Sequence, residues 1–257
     1  MTLQNRTALI IGGGAGLGRA IALAYAKEGA QLAVADLTAA AAQETLSLAG
    51  HATAGFALAM NIAHPAEIRA GIEAVTKRFG QLDIMVNCAA ICLVDPLTEV
   101  TPERWDQVFN VNARGAFFCM TEAARVMLPH KFGRILTIST PATRLAVPNF
   151  ATYGASKAAM DSFTKSCASA WAPHGITVNS LVPGRMTGGM VDALDRDLAK
   201  LTGQDLAALT VARTQSLPMQ RRVDPAEVAQ AAVWLASDAA AYVTAERFNF
   251  TGGMELG

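Results

Sequence analysis

Charge and aromatic side chains are both scarce in this sequence. Of its 257 residues 16% are charged, with 21 Lys and Arg against 21 Asp and Glu, and 6% are aromatic. Because the formal net charge is zero and no basic stripe or acidic tail stands out, nucleic acids and anionic membranes are poor candidate partners. No uncharged apolar stretch reaches the ~18 residues of a membrane span and no signal peptide is recognisable, so we expect a soluble, cytoplasmic protein.

Residues that bind metals or form disulfides are few and scattered. The cysteines show no C-x-x-C spacing and the histidines stand singly among polar or turn residues, at Cys88, Cys92, Cys119, Cys167, His51, His64, His130 and His174. A metal site or a disulfide framework needs closer clusters, so we expect neither. This cysteine usage is typical of a reducing compartment.

Apolar residues, in contrast, make up 52% of the chain, enough for one large core in a single domain over residues 1–257. Short apolar runs alternate with segments of helical spacing. The runs predict strands near 7–11, 31–35, 54–59, 84–86, 134–139, 176–181 and 247–250. The helical segments are near 19–28, 65–79, 102–128, 152–171 and 224–236, with another from about 38. Such alternation predicts an α/β, doubly wound parallel sheet (a Rossmann fold) with helices on both faces.

Residues 185–222 interrupt this alternation. The segment follows Pro183-Gly184, carries Gly188-Gly189 and includes two weakly amphipathic helical stretches. A segment of this length between a strand and a helix is typical of a functional loop, so we predict a lid over a ligand.

A glycine-rich turn separates the first strand from the first helix. Gly12, Gly16 and Gly18 let backbone approach a ligand, while the helix N-terminus favours a pyrophosphate. Asp36, about twenty residues on, is placed to accept hydrogen bonds from ribose hydroxyls and to repel the extra phosphate of NADP. The alternatives are an ordinary glycine turn and a solvated Asp36 that caps the helix beginning near Thr38. The pattern favours an NAD site.

Tyr153 and Lys157 lie four residues apart in a predicted helix and therefore share a face. A cation one turn away favours the phenolate and lowers the pKa of the phenol toward neutrality, so Tyr153 is a candidate proton shuttle. An isolated Y-x-x-x-K more often marks an ordinary surface helix. The sheet supplies context, because the carboxyl ends of its strands place polar residues along one edge, at Asp36, Asn61, Asn87, Ser139 and Thr140.

With the glycine turn, Asn112 and the Tyr153–Lys157 pair in place and in order, the sequence resembles the short-chain dehydrogenase/reductase family from Thr7 to Gly253. The resemblance implies that Tyr153 and Lys157 handle the proton of an NAD-linked alcohol oxidation. It implies that Asn112 holds a water linking the lysine to solvent, although a mid-helix asparagine can simply face outward. It further implies dinucleotide contacts at Gly12, Gly16, Leu17, Gly18, Asp36, Leu37, Asn61, Ile62, Asn87, Ala89, Tyr153, Lys157, Pro183, Gly184, Met186 and Thr187.

The family's carbonyl-orienting hydroxyl lies thirteen positions before the tyrosine, which is Thr140 here instead of the usual Ser. Ser139, in the place of the first serine of the usual pair, is the alternative. Other positions also depart from the family pattern. Asn61 replaces an Asp but can still accept a hydrogen bond from an adenine amine, and Asn87 is followed by Cys88-Ala89-Ala90.

The substrate is less clearly indicated. Polar residues near the predicted lid and before the tyrosine favour a hydroxylated or anionic small molecule such as a sugar, polyol or sugar acid, at Arg144, Asn149, Arg185, Arg196, Arg213, Arg221 and Arg222. These arginines can also be solvated charges. Residues 240–253 are similar to those of bacterial sorbitol and galactitol dehydrogenases.

The same residues leave four alternative functions open. The rivals are a dehydrogenase of a more apolar alcohol such as a steroid or cyclic ketone, a non-catalytic dinucleotide-binding regulator, a dehydratase and an epimerase. The resemblance implies a homotetramer built from helix pairs of the 102–128 and 152–171 regions.

Overall fold

The computed structural model describes residues 1–51 and 54–255. Within these ranges seven strands form one sheet in the order β3-β2-β1-β4-β5-β6-β7, and every neighbouring pair is parallel. The strands are β1 (Thr7–Ile11), β2 (Gln31–Asp36), β3 (Phe56–Ala59), β4 (Ile84–Asn87), β5 (Gly133–Ile138), β6 (Ile176–Pro183) and β7 (Arg247–Phe250). The predicted doubly wound parallel sheet is confirmed.

Helices cover both faces of this sheet. They are α1 (Gly16–Lys27), α2 (Ala39–Leu48), α3 (Pro65–Phe79), α4 (Pro102–Phe109), α5 (Ala116–Met127), α6 (Ala151–Trp171), α7 (Gly189–Thr202), α8 (Leu206–Gln215) and α9 (Pro225–Ala236). One core cluster joins the sheet to α1, α2 and α9, and the other joins it to α3, α5 and α6. In the part of the chain that the structure describes, no helix has the length and apolarity needed to cross a membrane.

The central strands are buried on both faces. Every residue of β1, β4, β5 and β6 is buried. Strands covered on both sides read as continuous apolar runs without alternation, which is why the sequence pattern indicated a parallel sheet.

The chain between residues 102 and 128 is not one α-helix as predicted. A wider π-helical turn, Asn110–Gly115, separates α4 from α5. At Gly115 the turn approaches the Ile62 carbonyl so closely that an added Cβ would lie 2.5 Å from its oxygen. The wide turn also places Asn112 in the interior, fully buried.

The connections out of the sheet place a crevice beside β1. This strand pairs with β2 on one side and with β4 on the other, so the strand order reverses there. Ligands of such sheets bind at this reversal, outside the carboxyl ends of the strands.

The segment 185–222, named here the flap, folds into α7 and α8 and returns to its starting point. Thr187 N–H donates to the Val223 carbonyl (2.9 Å) and Val223 N–H donates to the Arg185 carbonyl (2.9 Å). The two ends of the flap are therefore pinned to each other by hydrogen bonds, and the flap is a closed insertion rather than an open loop.

Candidate active site

A cavity of about 390 Å³ lies between the sheet edge and the flap. Many of the residues predicted from sequence line it, namely Gly12, Gly16, Leu17, Gly18, Ser139, Thr140, Tyr153, Lys157, Pro183, Gly184, Met186 and Thr187. The structure thus brings the glycine turn and the Tyr153–Lys157 pair, which are 135 or more residues apart in sequence, to one site.

The glycine turn leaves room for a phosphate-bearing ligand. A Cβ at Gly18 would lie 2.1 Å from the Gly12 carbonyl oxygen, so the turn packs tightly on α1. Gly16 has φ +51°, and a Cβ there would meet open space. Ala15, the residue before α1, offers no side-chain cap to the first N–H groups of the helix. Such a helix N-terminus suits a pyrophosphate, and these residues fit a nicotinamide dinucleotide.

Asp36 ends β2 beside the same turn. Its carboxylate accepts hydrogen bonds from Gly14 N–H (2.8 Å) and Leu37 N–H (2.8 Å). The Leu37 side chain is 70% exposed. Arg19 on α1 pairs with Glu44 (3.0 Å) and also donates to the carbonyl of Gly14 in the same turn.

Four other predicted cofactor residues lie beside the cavity rather than in its lining. Asn61 Oδ1 accepts from Ala63 N–H (3.0 Å), and Ile62 is buried against Gly115. Asn87 ends β4, where its Oδ1 accepts from Ala89 N–H (3.1 Å). These contacts order the loops that follow β3 and β4.

Lys157 is buried beneath Tyr153. Its side chain is 2% exposed, and its Nζ donates to the Ile138 carbonyl at the end of β5 (2.7 Å). Burial lowers the pKa of Lys157 to about 8, while the charge of Asp161 one helical turn further on opposes that shift.

The expectation that Lys157 lowers the pKa of Tyr153 is not met within the protein alone. Burial raises the pKa of Tyr153 well above its usual value, and the neighbouring Cys92 adds to that rise. A hydrogen bond with the Thr140 side chain acts in the opposite direction. Desolvation of the phenol is the largest of these effects on its pKa.

The two adjacent hydroxyls point to different partners. Ser139 Oγ donates to Asp161 Oδ2 (2.9 Å), and a serine hydroxyl has one proton to give. Thr140 Oγ1 accepts from Ala142 N–H (3.3 Å), which leaves its own proton available toward Tyr153 and the cavity.

Arg247 of β7 holds this hydroxyl-bearing loop from behind. Its guanidinium donates to the Thr140 carbonyl (2.9 Å) and to Thr143 Oγ1 (3.0 Å). It also pairs with Asp161 (3.3 Å) and Glu255 (2.7 Å), which with Arg247 itself are at most 13% exposed. Sequence reasoning missed this network, although Arg247 stands as a lone charge in an otherwise largely aromatic final strand.

Asn112 faces inward, so its outward-facing alternative is wrong. Its Oδ1 accepts from Ile91 N–H (2.9 Å), and its Nδ2 donates to the Ile91 carbonyl (2.7 Å) and to Ser156 Oγ (3.1 Å). The side chain thus ties the loop after β4 to α6. Both of its N–H donors are used by the protein.

Much of the remaining cavity lining is an apolar wall, which the sequence analysis did not predict. It includes Cys92, Leu145, Val147, Phe150, Met190 and Leu194. The apolar residues between Thr140 and Tyr153 in the sequence could have indicated this wall.

Most of the polar residues that the sequence analysis placed near the substrate do not line the cavity. Among the described residues only Arg185 and Arg213 of that set line the cavity. Arg221 pairs with Glu227 (2.7 Å) and Arg222 with Asp192 (2.8 Å).

Residues 1–51 and 54–255 contain no group of three or more His, Cys, Asp or Glu arranged to hold a metal ion. The four cysteines are free thiols. Burial raises the pKa of Cys88 and of Cys92 to about 12, so both face the cavity as neutral thiols at pH 7.

The burial of Lys157 predicts a pH-dependent stability. The ammonium titrates near ~10.4 in an unfolded chain, so between pH 8 and 10 the unfolded chain binds more protons than the folded protein. The destabilisation by Lys157 is therefore full below pH 8 and fades as the pH rises. Relative to wild type, Lys157→Met should gain about 2 kcal/mol more in unfolding free energy at pH 7 than at pH 9.5.

Denaturant unfolding followed by circular dichroism at both pH values measures this difference. Lys165→Met, on an exposed position of the same helix, is the matched control and should show no such change. Equal effects of Lys157→Met at the two pH values would contradict the prediction.

Comparisons with known proteins agree with this geometry. Residues 12–255 match a family model described as enoyl-(acyl carrier protein) reductase. The chain is 36% identical to galactitol 2-dehydrogenase of Agrobacterium fabrum and 33% identical to sorbitol dehydrogenase of Cereibacter sphaeroides, with 98% of each chain covered in both cases. It is 34% identical to 3-oxoacyl-(acyl-carrier-protein) reductase of Staphylococcus aureus, covering 98% of this chain and 99% of the relative.

Two solved structures have nearly the same fold. NAD⁺-bound xylitol dehydrogenase is 26% identical with a TM-score of 0.93, and the match covers 98% of this chain and 100% of the other. An actinorhodin polyketide ketoreductase with NADPH is 29% identical with a TM-score of 0.92 and 97% of each chain covered. The chain therefore belongs to the short-chain dehydrogenase/reductase family and is an oxidoreductase that acts on CH–OH groups.

Proposed function

We propose that this protein transfers a hydride between NAD and a secondary alcohol or ketone, with Tyr153 as the general acid/base. The observation that carries the proposal is the convergence of Tyr153, Lys157 and the Thr140 hydroxyl on one cavity beside the glycine turn. The family binds a nicotinamide dinucleotide, and the residues here fit one.

The glycine turn and the N-terminus of α1 would hold the pyrophosphate, and Asp36 the adenosine ribose. Pro183, Gly184, Met186 and Thr187, which line the cavity, would contact the nicotinamide half. When bound, NAD supplies the hydride acceptor and, in its oxidised form, a positive ring charge.

Tyr153 takes the alcohol proton during oxidation and returns it during reduction. Burial holds the phenol neutral in the protein alone, while the hydrogen bond with Thr140 lowers the pKa of Tyr153. In the proposal the nearby Lys157 ammonium also favours the phenolate. Thr140 donates to the substrate oxygen, where charge changes during the reaction, and a positioned donor there lowers the barrier. Asn112 hydrogen-bonds both the N–H and the C=O of Ile91 and so fixes this backbone. In the proposal, a water held there links Lys157 to solvent.

NAD is favoured over NADP by the position of Asp36. Its carboxylate lies at the glycine turn and is held by Gly14 N–H. A negative charge there repels a 2′-phosphate, and the Arg19 guanidinium is engaged by Glu44 and Thr45 on α2 and by the Gly14 carbonyl.

Two substrate classes remain supported. The named galactitol and sorbitol dehydrogenases favour a polyol or another hydroxylated small molecule. The apolar wall formed by residues such as Val147, Phe150 and Leu194 favours a less polar secondary alcohol. Oxidation of polyols and of aliphatic secondary alcohols, each followed by NADH absorbance, distinguishes the two.

We also propose one cytoplasmic domain that assembles as a homotetramer through α4–α5 and α6, with the flap acting as a lid. Support for the lid comes from its pinned ends and from the flap residues that line the cavity. A monomer in sedimentation equilibrium would contradict the assembly. Retention of both Tyr153 and Lys157 argues against a non-catalytic regulator.

Tyr153→Phe removes the proton-carrying hydroxyl and keeps the ring. Turnover of an accepted alcohol should fall ~10²–10⁴-fold, since that is the usual contribution of a general acid/base. Binding of NADH, measured by fluorescence, should persist because the glycine turn is untouched. Near-normal turnover of this variant would show that Tyr153 is not the acid/base.

Thr140→Val and Ser139→Ala form a matched pair that tests the roles of two adjacent hydroxyls separately. Thr140→Val should lower kcat by ~10²-fold or more, the cost of losing one positioned donor. Ser139→Ala should lower stability, because it leaves Asp161 short of a partner, while kcat falls much less. The reverse order of the two kcat losses would assign the substrate oxygen to Ser139.

Asp36→Asn keeps the shape of the side chain and removes its charge. Wild type should use NAD more efficiently than NADP, and the variant should narrow that preference by about tenfold, the value of a charged hydrogen bond. The ratio of kcat/KM for the two cofactors measures this, with Asp197→Asn on an exposed position of α7 as control. Higher efficiency of the wild type with NADP would overturn the choice of cofactor.

A further inference from the structure

Three arginines meet two aspartates where the flap covers the cavity. Asp195, 1% exposed, contacts Arg213 Nε (3.1 Å) and pairs with Arg222. Arg222 also pairs with Asp192 (2.8 Å). Arg185 donates to the backbone carbonyl of Arg213 rather than to a carboxylate. The cluster of three guanidinium groups and two carboxylates therefore carries one net positive charge.

That excess charge faces the cavity. Arg185 and Arg213 both line it, whereas no Asp or Glu does so among the residues that the structure describes. Burial lowers the pKa of Arg185 to about 10, and burial also lowers the pKa of Arg213. The charged forms are thus held where solvent stabilises them poorly, which favours an anionic partner.

Apolar side chains line the cavity that Thr140 and Arg213 share. The Arg213 guanidinium lies 5.9 Å from the centre of the Phe150 ring, and Phe150 directly precedes α6, which carries Tyr153. Val147 and Leu194 line the same cavity. A ligand that reaches from Thr140 to Arg213 therefore needs an aliphatic or otherwise apolar middle.

We propose that Arg213, supported by Arg185, binds a terminal oxyanion of the substrate, so that the substrate class is a secondary alcohol or ketone with an apolar chain ending in a carboxylate or phosphate. The inference rests on the proposed function, in which this cavity holds the substrate. Arg213 is then a specificity-determining residue, and the flap contributes recognition as well as cover.

Binding tests the inference without turnover. Calorimetry with hexanoate, octanoate and decanoate is compared with the 1-alkanols of the same lengths, and octyl phosphate distinguishes a phosphate from a carboxylate. Wild type should bind at least one of these anions about tenfold or more tighter than its alcohol, the value of a charged hydrogen bond. Arg213→Met should lose that preference, and Arg213→Lys should retain most of it.

Arg196→Met, on an exposed position of α7, is the matched control and should keep the preference. Equal binding of anion and alcohol by wild type overturns the inference. So does an anion preference that survives in Arg213→Met, because the anion then binds elsewhere, for example at the glycine turn.

Kinetics separates this inference from the proposed function. Hydroxy acids CH₃–CH(OH)–(CH₂)n–COO⁻ of increasing chain length are each compared with their methyl esters, with NAD and with NADP. We expect kcat/KM to favour the acid about tenfold at the best length, and Arg213→Met to reduce the acid far more than the ester. If the hydroxy acids are oxidised no better than their methyl esters, the anion site is overturned and the proposed function is not. If no compound is oxidised, the result counts against the proposed function, and calorimetry still decides the anion site.

Discussion

A single buried cation connects the parts of this site. The Lys157 ammonium donates to the Ile138 carbonyl, which fixes α6 against the carboxyl end of β5. Because Tyr153 lies one helical turn before Lys157, and Thr140 two residues beyond Ile138, this contact brings both hydroxyls to the cavity. The cost of burying the charge is reduced by Asp161, which also holds Ser139 and Arg247.

Burial acts on the two members of the pair in opposite directions. It lowers the pKa of Lys157 and raises that of Tyr153, so each is driven toward its neutral form. In our proposal the phenolate becomes favourable only when the positive ring of oxidised NAD is added to the Lys157 charge. Proton transfer would then be coupled to the state of the cofactor, and the free protein would keep an unreactive phenol.

The sheet edge carries the residues proposed for catalysis, and the flap carries residues that face the substrate in our proposal. The glycine turn, β5 and the Arg247 network form a densely hydrogen-bonded half with the residues proposed for catalysis. The flap supplies apolar residues and two arginines from a segment that is hydrogen-bonded at its two ends and whose Met219 N–H donates to the Gly252 carbonyl beyond β7 (3.3 Å). The same catalytic half can therefore serve different substrates, which agrees with the range of names among the relatives.

Local patterns in the sequence determined the strands, most helices, the glycine turn and the spacing of Tyr153 and Lys157, because these depend on backbone geometry within a few residues. The sequence already favoured Thr140 over Ser139, and the tertiary structure adds that Asp161, 22 residues beyond Ser139, accepts the serine proton. The tertiary structure also turned Asn112 inward through a π-helical turn, and of the flap arginines it placed Arg185 and Arg213 in the cavity lining. These outcomes depend on burial and on contacts between distant segments, which periodicity and spacing do not encode.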